Sequence, residues 1–148
     1  MLRFYIALVT AFFLGGTAFM ALHLTHSHQA ANESYAVANL RTVNEAEVKY
    51  KAMSSSGHRY GTLTDLIDAG LFDKTWAGLT KEAGTKSGYT FAITVDEAGQ
   101  DYIATAVPMS PKVARYAYSI GPDAVVHYST DSNLAPYWQA GKPVGKRR

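Results

Sequence analysis

The sequence predicts an α+β fold in which one long N-terminal helix packs on a four-stranded antiparallel β-meander, and three observations predict it. From Phe4 to Leu24 no side chain is charged. From Ala36 to Tyr50 apolar residues recur at steps of three and four. From Tyr89 onward the period drops to two, with turn-forming residues between the runs. The first stretch, at about 1.5 Å of helical rise per residue, matches the hydrocarbon thickness of a bilayer. The second is one face of an amphipathic helix, and the third is the signature of successive strands.

The rod comes first. Phe4, Ile6, Leu8, Phe12, Phe13, Gly15, Gly16 and Phe19 mark the part expected to lie in the membrane and to assemble with neighbouring helices, where Gly15 and Gly16 allow close approach. Arg3 precedes the run and favours a cytoplasmic N-terminus with an exported head. The rival reading is a cleaved signal peptide, with its apolar core at Phe4 to Leu14 and Gly16-Thr17-Ala18 as a small-x-small cleavage site. Both export the head. A retained anchor is favoured because apolar residues continue to Leu24.

Thr25-His26-Ser27-His28-Gln29 is a polar exit from the membrane. Neither Pro nor Gly falls between Thr17 and Gly57. The helix is therefore expected to run on as one rod of about fifty residues, with Gly15-Gly16 its natural bending point. Ala36, Leu40, Val43, Ala46 and Tyr50 form the stripe expected to meet the sheet, and Glu45–Lys49 and Glu47–Lys51 are i, i+4 pairs in the favourable order. Ser54-Ser55-Ser56-Gly57 ends the helix. Thr62 to Gly70 reads as a short helix with a hydroxyl cap and a glycine stop. Leu71 to Gly88, around Trp76, reads mostly as loop.

Four strands follow. Tyr89–Val95 alternates cleanly, Asp96-Glu97-Ala98-Gly99 turns, and Asp101–Val107 returns. Pro108 and Pro111 bracket a loop, and Arg115–Ile120 and Ala124–Tyr128 are joined by Gly121-Pro122-Asp123. Short connections make a meander, and one face of that sheet needs the helix stripe as its partner. The chain thus divides into an anchor and exit at 1–29, a head at 30–131 and a flexible basic tail at 132–148.

Charge and composition limit the function. The head is long enough for one modest core of about 110 residues. The net charge of +2 is too small to suggest nucleic acid as a partner. Four of the fourteen basic residues lie in the last seven, which leaves ten against twelve acidic ones elsewhere. The absence of cysteine excludes disulfides, thiolate metal sites and thiol catalysis.

No catalytic constellation emerges. His23 and His26 share a helix face, but His28 lies about 140° from His23, so the cluster reads as an interfacial histidine run ahead of a metal site. Ser54 to Ser56 with His58 has no nucleophile elbow around it. Thr85-Lys86-Ser87-Gly88 lacks the Gly-Lys of a phosphate loop, and no Ser-x-x-Lys accompanies it. Asp96, Glu97 and Asp101 match no calcium loop and read as solvated turn acids. Asn32-Glu33-Ser34 fits a glycosylation acceptor but lies on a predicted helix. The ten tyrosines form no stacking platform with interleaved basic residues. The expectation is a protein without enzymatic activity, cofactor or metal.

Two motifs carry a family resemblance. Leu40-Arg41-Thr42-Val43-Asn44-Glu45-Ala46-Glu47-Val48-Lys49-Tyr50 on the helix, followed by Gly84-Thr85-Lys86-Ser87-Gly88-Tyr89-Thr90-Phe91 at a strand, resembles the type IV pilin and pseudopilin family. Tyr102 to Pro108 and the hairpin from Arg115 to Tyr128 extend the likeness over residues 30–130. It implies a structural, non-enzymatic protein that works by helix packing and surface display. Its partners would be the membrane and the subunits of a pilus or secretion system. Its place would be the inner membrane, crossed once with the head exported, or a cell-surface fibre. The family's leader and Phe-Thr-Leu-Ile-Glu start have no counterpart, and the apolar run at 4–24 holds no glutamate. An anchored periplasmic binding or accessory module is the alternative.

Overall fold

The computed structural model describes residues 2–53, 58–72, 83–137 and 140–145, with side chains described from residue 26 in the first helix and from residue 86 in the first strand. One helix, α1, runs unbroken over Leu2–Met53. A one-and-a-half-turn helix, α2, covers Leu63–Asp68. The strands are β1 (Ala83–Lys86), β2 (Tyr89–Val95), β3 (Tyr102–Pro108), β4 (Ala117–Ile120), β5 (His127–Ser129) and β6 (Lys142–Pro143). They form one antiparallel sheet in sequence order, so the head is a meander with a long helix laid across it. Among the residues searched, no helix is long and apolar enough to cross a membrane. The uncharged run at 4–24 lies among residues whose side chains are not described.

The helix stripe packs as its spacing requires. Ala36, Leu40, Val43 and Ala46 are buried, and Tyr50 packs half-buried beside them. The facing surface is the inner row of each strand: Tyr89, Phe91 and Ile93 from β2, Tyr102, Ala104 and Ala106 from β3, Tyr118 and Ile120 from β4. In β3 every second residue is buried, the period of a strand with one covered face. Ala104 and Ala106 have no exposed surface. Small side chains on the central strand let α1 sit close, and the larger aromatics on β2 and β4 fill the space at its sides.

Local chemistry sets the element ends. Thr62 caps α2: its hydroxyl accepts from the Asp65 N–H at 3.3 Å, and the Asp65 carboxylate accepts from the Thr62 N–H at 2.8 Å. Gly70, at φ +70°, closes it. Ser87 and Gly88 have φ of 51° and 77° and join Lys86 to its partner Tyr89, a two-residue turn whose twist suits a hairpin. A Cβ at Gly88 would stand 2.2 Å from Val113 Cγ1, so the close approach also requires glycine.

Several expectations need correcting. Part of the segment read as loop is the strand β1; it lacks apolar alternation, and its evidence in the sequence is the Ser-Gly turn that follows. The tail read as flexible contributes β6, whose register sets Lys142 opposite Tyr128, and Val144 N–H donates to Val126 O at 2.7 Å. The sheet therefore has six strands where four were expected. β4 starts at Ala117 and not Arg115, because the Arg115 N–H is given to Glu33. β5 starts at His127 and not Ala124, because Ala124 has a positive φ of 58° and donates back to Gly121 O.

Leu40→Asp is expected to destabilise the protein by about 3 kcal/mol or more, since it sets a charge against the alanines of β3. Urea unfolding followed by circular dichroism gives the measurement; an unchanged midpoint would show that the packing face lies elsewhere.

Candidate functional site

The polar chemistry of this head is concentrated where α1 is tied to it, at two buried glutamates. Glu33 is 7% exposed. Its Oε1 accepts from the Arg115 N–H and from Arg115 Nε, each at 3.0 Å, and its Oε2 accepts from Arg115 Nη2 at 2.7 Å. The fork geometry gives two parallel charge-assisted bonds. The same face of α1 serves the β3–β4 loop: Gln29 Nε2 donates to Pro111 O at 3.0 Å and Asn32 Nδ2 to Val113 O at 3.0 Å. These carbonyls belong to a loop and have no ladder to join, so helix side chains satisfy them. Bonding to Glu33 pushes the Arg115 guanidinium still further above its usual range.

Glu47 has no exposed surface at all. Its Oε2 accepts from the Gly61 N–H at 2.9 Å, while Oε1 is buried without a partner. Burial pushes its carboxyl up to about 7, the Gly61 N–H opposes the shift, and the Asp65 carboxylate adds to it. The expected Glu47–Lys51 pair does not stand: Glu47 turns into the core, and the Lys51 ammonium sits 4.0 Å from the centre of the Tyr60 ring. Beside it, Asn44 Nδ2 donates to the Tyr102 hydroxyl at 2.7 Å, and that hydroxyl donates to Gly121 O at 3.2 Å. Residues 58–61 are stitched on their other side to the β2–β3 turn. Tyr60 N–H donates to Gly99 O at 2.9 Å and Arg59 Nη2 to Glu97 O at 2.9 Å.

The other candidates fall out as follows. Phe4, Ile6, Leu8, Phe12, Phe13, Gly15, Gly16, Phe19 and His23 lie among residues whose side chains are not described, and Ser54 to Ser56 and Trp76 lie outside the described residues. His26 and His28 are exposed. Among the described residues no group of three His, Asp or Glu is placed to hold a metal. Asp96 and Asp101 brace their turn: Asp96 Oδ1 accepts from the Asp101 N–H and Asp101 Oδ1 from the Tyr102 N–H, both at 2.8 Å. The N–H donors around Asp96, that of Asp101 first, hold its carboxyl below the usual range. Asn32 of the glycosylation match spends its amide on Val113.

Three residues that tie α1 to the head escaped the sequence reading. Glu33 and Glu47 lie on the stripe itself, which runs 33, 36, 40, 43, 47, 50 in steps of three and four; a carboxylate in register with buried residues was the available signal. Arg115 carried none. A fourth feature, Ser119 opposite His127 across β4 and β5, is also new. Both are buried, and neither Ser119 Oγ nor His127 Nδ1 has a partner, so the two do not form a nucleophile–base pair.

Neither a protein-family model, nor a curated protein, nor a solved structure matches this chain.

Two outcomes are expected. Because burial raises the Glu47 carboxyl in the folded state, the native protein binds more protons than the unfolded chain between pH 4.5 and 7. Stability is therefore highest below that window and falls as pH rises through it, by about 3 kcal/mol for this group. Glu47→Gln should flatten this loss, so that variant and wild type differ far more at pH 8 than at pH 5 in urea titrations. Arg115→Ala leaves Glu33 with the backbone donor alone and is expected to cost about 2 kcal/mol; Arg115→Lys should recover only part, having lost the fork.

Proposed function

We propose that this chain is a non-enzymatic, exported, pilin-like protein that presents its head on an N-terminal helix held in the membrane or in a surface fibre. The observation that carries the reading is the mismatch between the helix and its seat. α1 is 52 residues long, and among its side chains described, from residue 26 on, the hydrogen bonds, ring contacts and buried stripe that join it to the head run from Gln29 to Lys51. The preceding half includes the uncharged run of bilayer length at 4–24. The motifs at Leu40–Tyr50 and Gly84–Phe91 support the same reading, since one forms the packing face and the other the opening hairpin of the sheet. The work of such a protein is helix packing at one end and surface display at the other.

The mature chain is expected to keep residues 4–24 and to stay with membranes through alkaline carbonate extraction. N-terminal sequencing of the mature protein checks it: a start at Phe19 would make the segment a cleaved signal. With no glutamate in the uncharged run at 4–24, the chain is expected to associate weakly within the membrane and to form no extended homopolymer. Filaments labelled along their whole length through the C-terminal tail would instead make it a major fibre subunit.

A further inference from the structure

We propose that Glu47 is a pH-operated latch that holds residues 58–61 against α1 while its carboxyl is neutral and lets them open when it ionises and swings out to Lys51. The closed form is the one observed. Glu47 is fully buried, one oxygen grips the Gly61 N–H, and the other has no partner. Gly61 is pressed against the helix so closely that a Cβ there would lie 2.8 Å from the Tyr50 ring. A neutral carboxyl loses little in such a place, but a carboxylate with one oxygen unsolvated and unbonded loses much. The open form is also defined. Lys51 is four residues on, the favourable position for a solvated pair with Glu47, and is held meanwhile over Tyr60, a residue of the very segment that would be released.

The surroundings set the direction. From α2, Asp65 faces the site and opposes a second negative charge. From β3 the Tyr102 hydroxyl approaches, occupied by Asn44 and Gly121. From the segment itself come Tyr60, whose ring lies 4.7 Å from that of Tyr102, and Arg59, which is spent on Glu97 O. His58 begins the segment, with Nδ1 3.2 Å from Lys51 O. Asp96 lies across the adjoining cleft, lined also by Tyr50, Arg59, Tyr60, Thr62 and Asp65. Among the described residues no cation touches Glu47, and ionisation there is relieved by leaving the core. The burial that pushes this carboxyl to about 7 places the event near neutral pH.

Hydrogen exchange of the full-length protein, read by mass spectrometry at pH 6 and pH 8 and corrected for intrinsic rates, tests the latch. Protection in peptides covering 58–69 should fall about tenfold between the two, one pH unit beyond the transition. Peptides from β3 should stay far better protected than 58–69 at both pH values, which marks the change as local opening and not global unfolding. Glu47→Gln should keep protection at both pH values. Asp65→Asn, which keeps an oxygen for the Thr62 N–H, should move the midpoint to lower pH, and it carries the test if Glu47→Gln does not fold. His58→Gln should leave the transition in place. A flat wild-type profile, a wild-type transition in Glu47→Gln, an unmoved midpoint in Asp65→Asn, or a transition abolished by His58→Gln would each overturn the proposal.

Discussion

Two carboxylates on one helix stripe accept backbone N–H groups from two loops, and the rest of the head is arranged around that constraint. Glu33 takes the N–H of Arg115 and Glu47 that of Gly61. Fourteen positions of helical rise, about 21 Å, separate them. Between them lie the apolar residues that cover the sheet. The two ends differ in electrostatics: Glu33 carries a guanidinium fork that offsets its desolvation, while Glu47 has only a neutral donor. One end of the helix is therefore held by an ion pair, and the other by a single backbone donor to a carboxyl that burial pushes up to about 7.

The core is built in the same manner, from groups that are apolar in body and polar at the tip. Tyr89, Tyr102 and Tyr118 are buried, and burial pushes each phenol above its usual range. Tyr89 donates to Tyr116 O at 2.9 Å, and Tyr102 to Gly121 O. A small sheet with alanines at its centre has little aliphatic bulk to offer. Tyrosines supply area, and their hydroxyls bond carbonyls at the ends of the strands. Ring contacts tie neighbouring strands, with Tyr116 and Tyr128 meeting edge-on at 5.4 Å.

How much of this was legible in the sequence follows from which forces are periodic. The stripe at Ala36, Leu40, Val43 and Ala46 was legible because burial repeats with the helix, and Tyr89–Val95 because it repeats with the strand. α2 was legible from Thr62 and Gly70, whose local bonds need no tertiary context. β1 and β6 were not: a four-residue run of Ala-Gly-Thr-Lys and a Lys-Pro pair become strands through a neighbour's hydrogen bonds, not through their own preference. Glu47 was misread because Lys51 four positions on suggests a surface pair, and Glu33 stood only in the glycosylation match at Asn32-Glu33-Ser34. Nothing in the sequence announces that a distant loop will present Gly61 N–H or Arg115 to that face, since such partners are set by the fold.

The last strand has a consequence for how this molecule can meet its neighbours. β6 is two residues long, and one of them is Pro143, which has no N–H. A chain trying to extend the sheet from that side finds no ladder to copy. Crowded together or partly unfolded, these heads are poor templates for amyloid growth along this edge. On this side, self-association is left to side-chain contacts, which can be tuned one residue at a time.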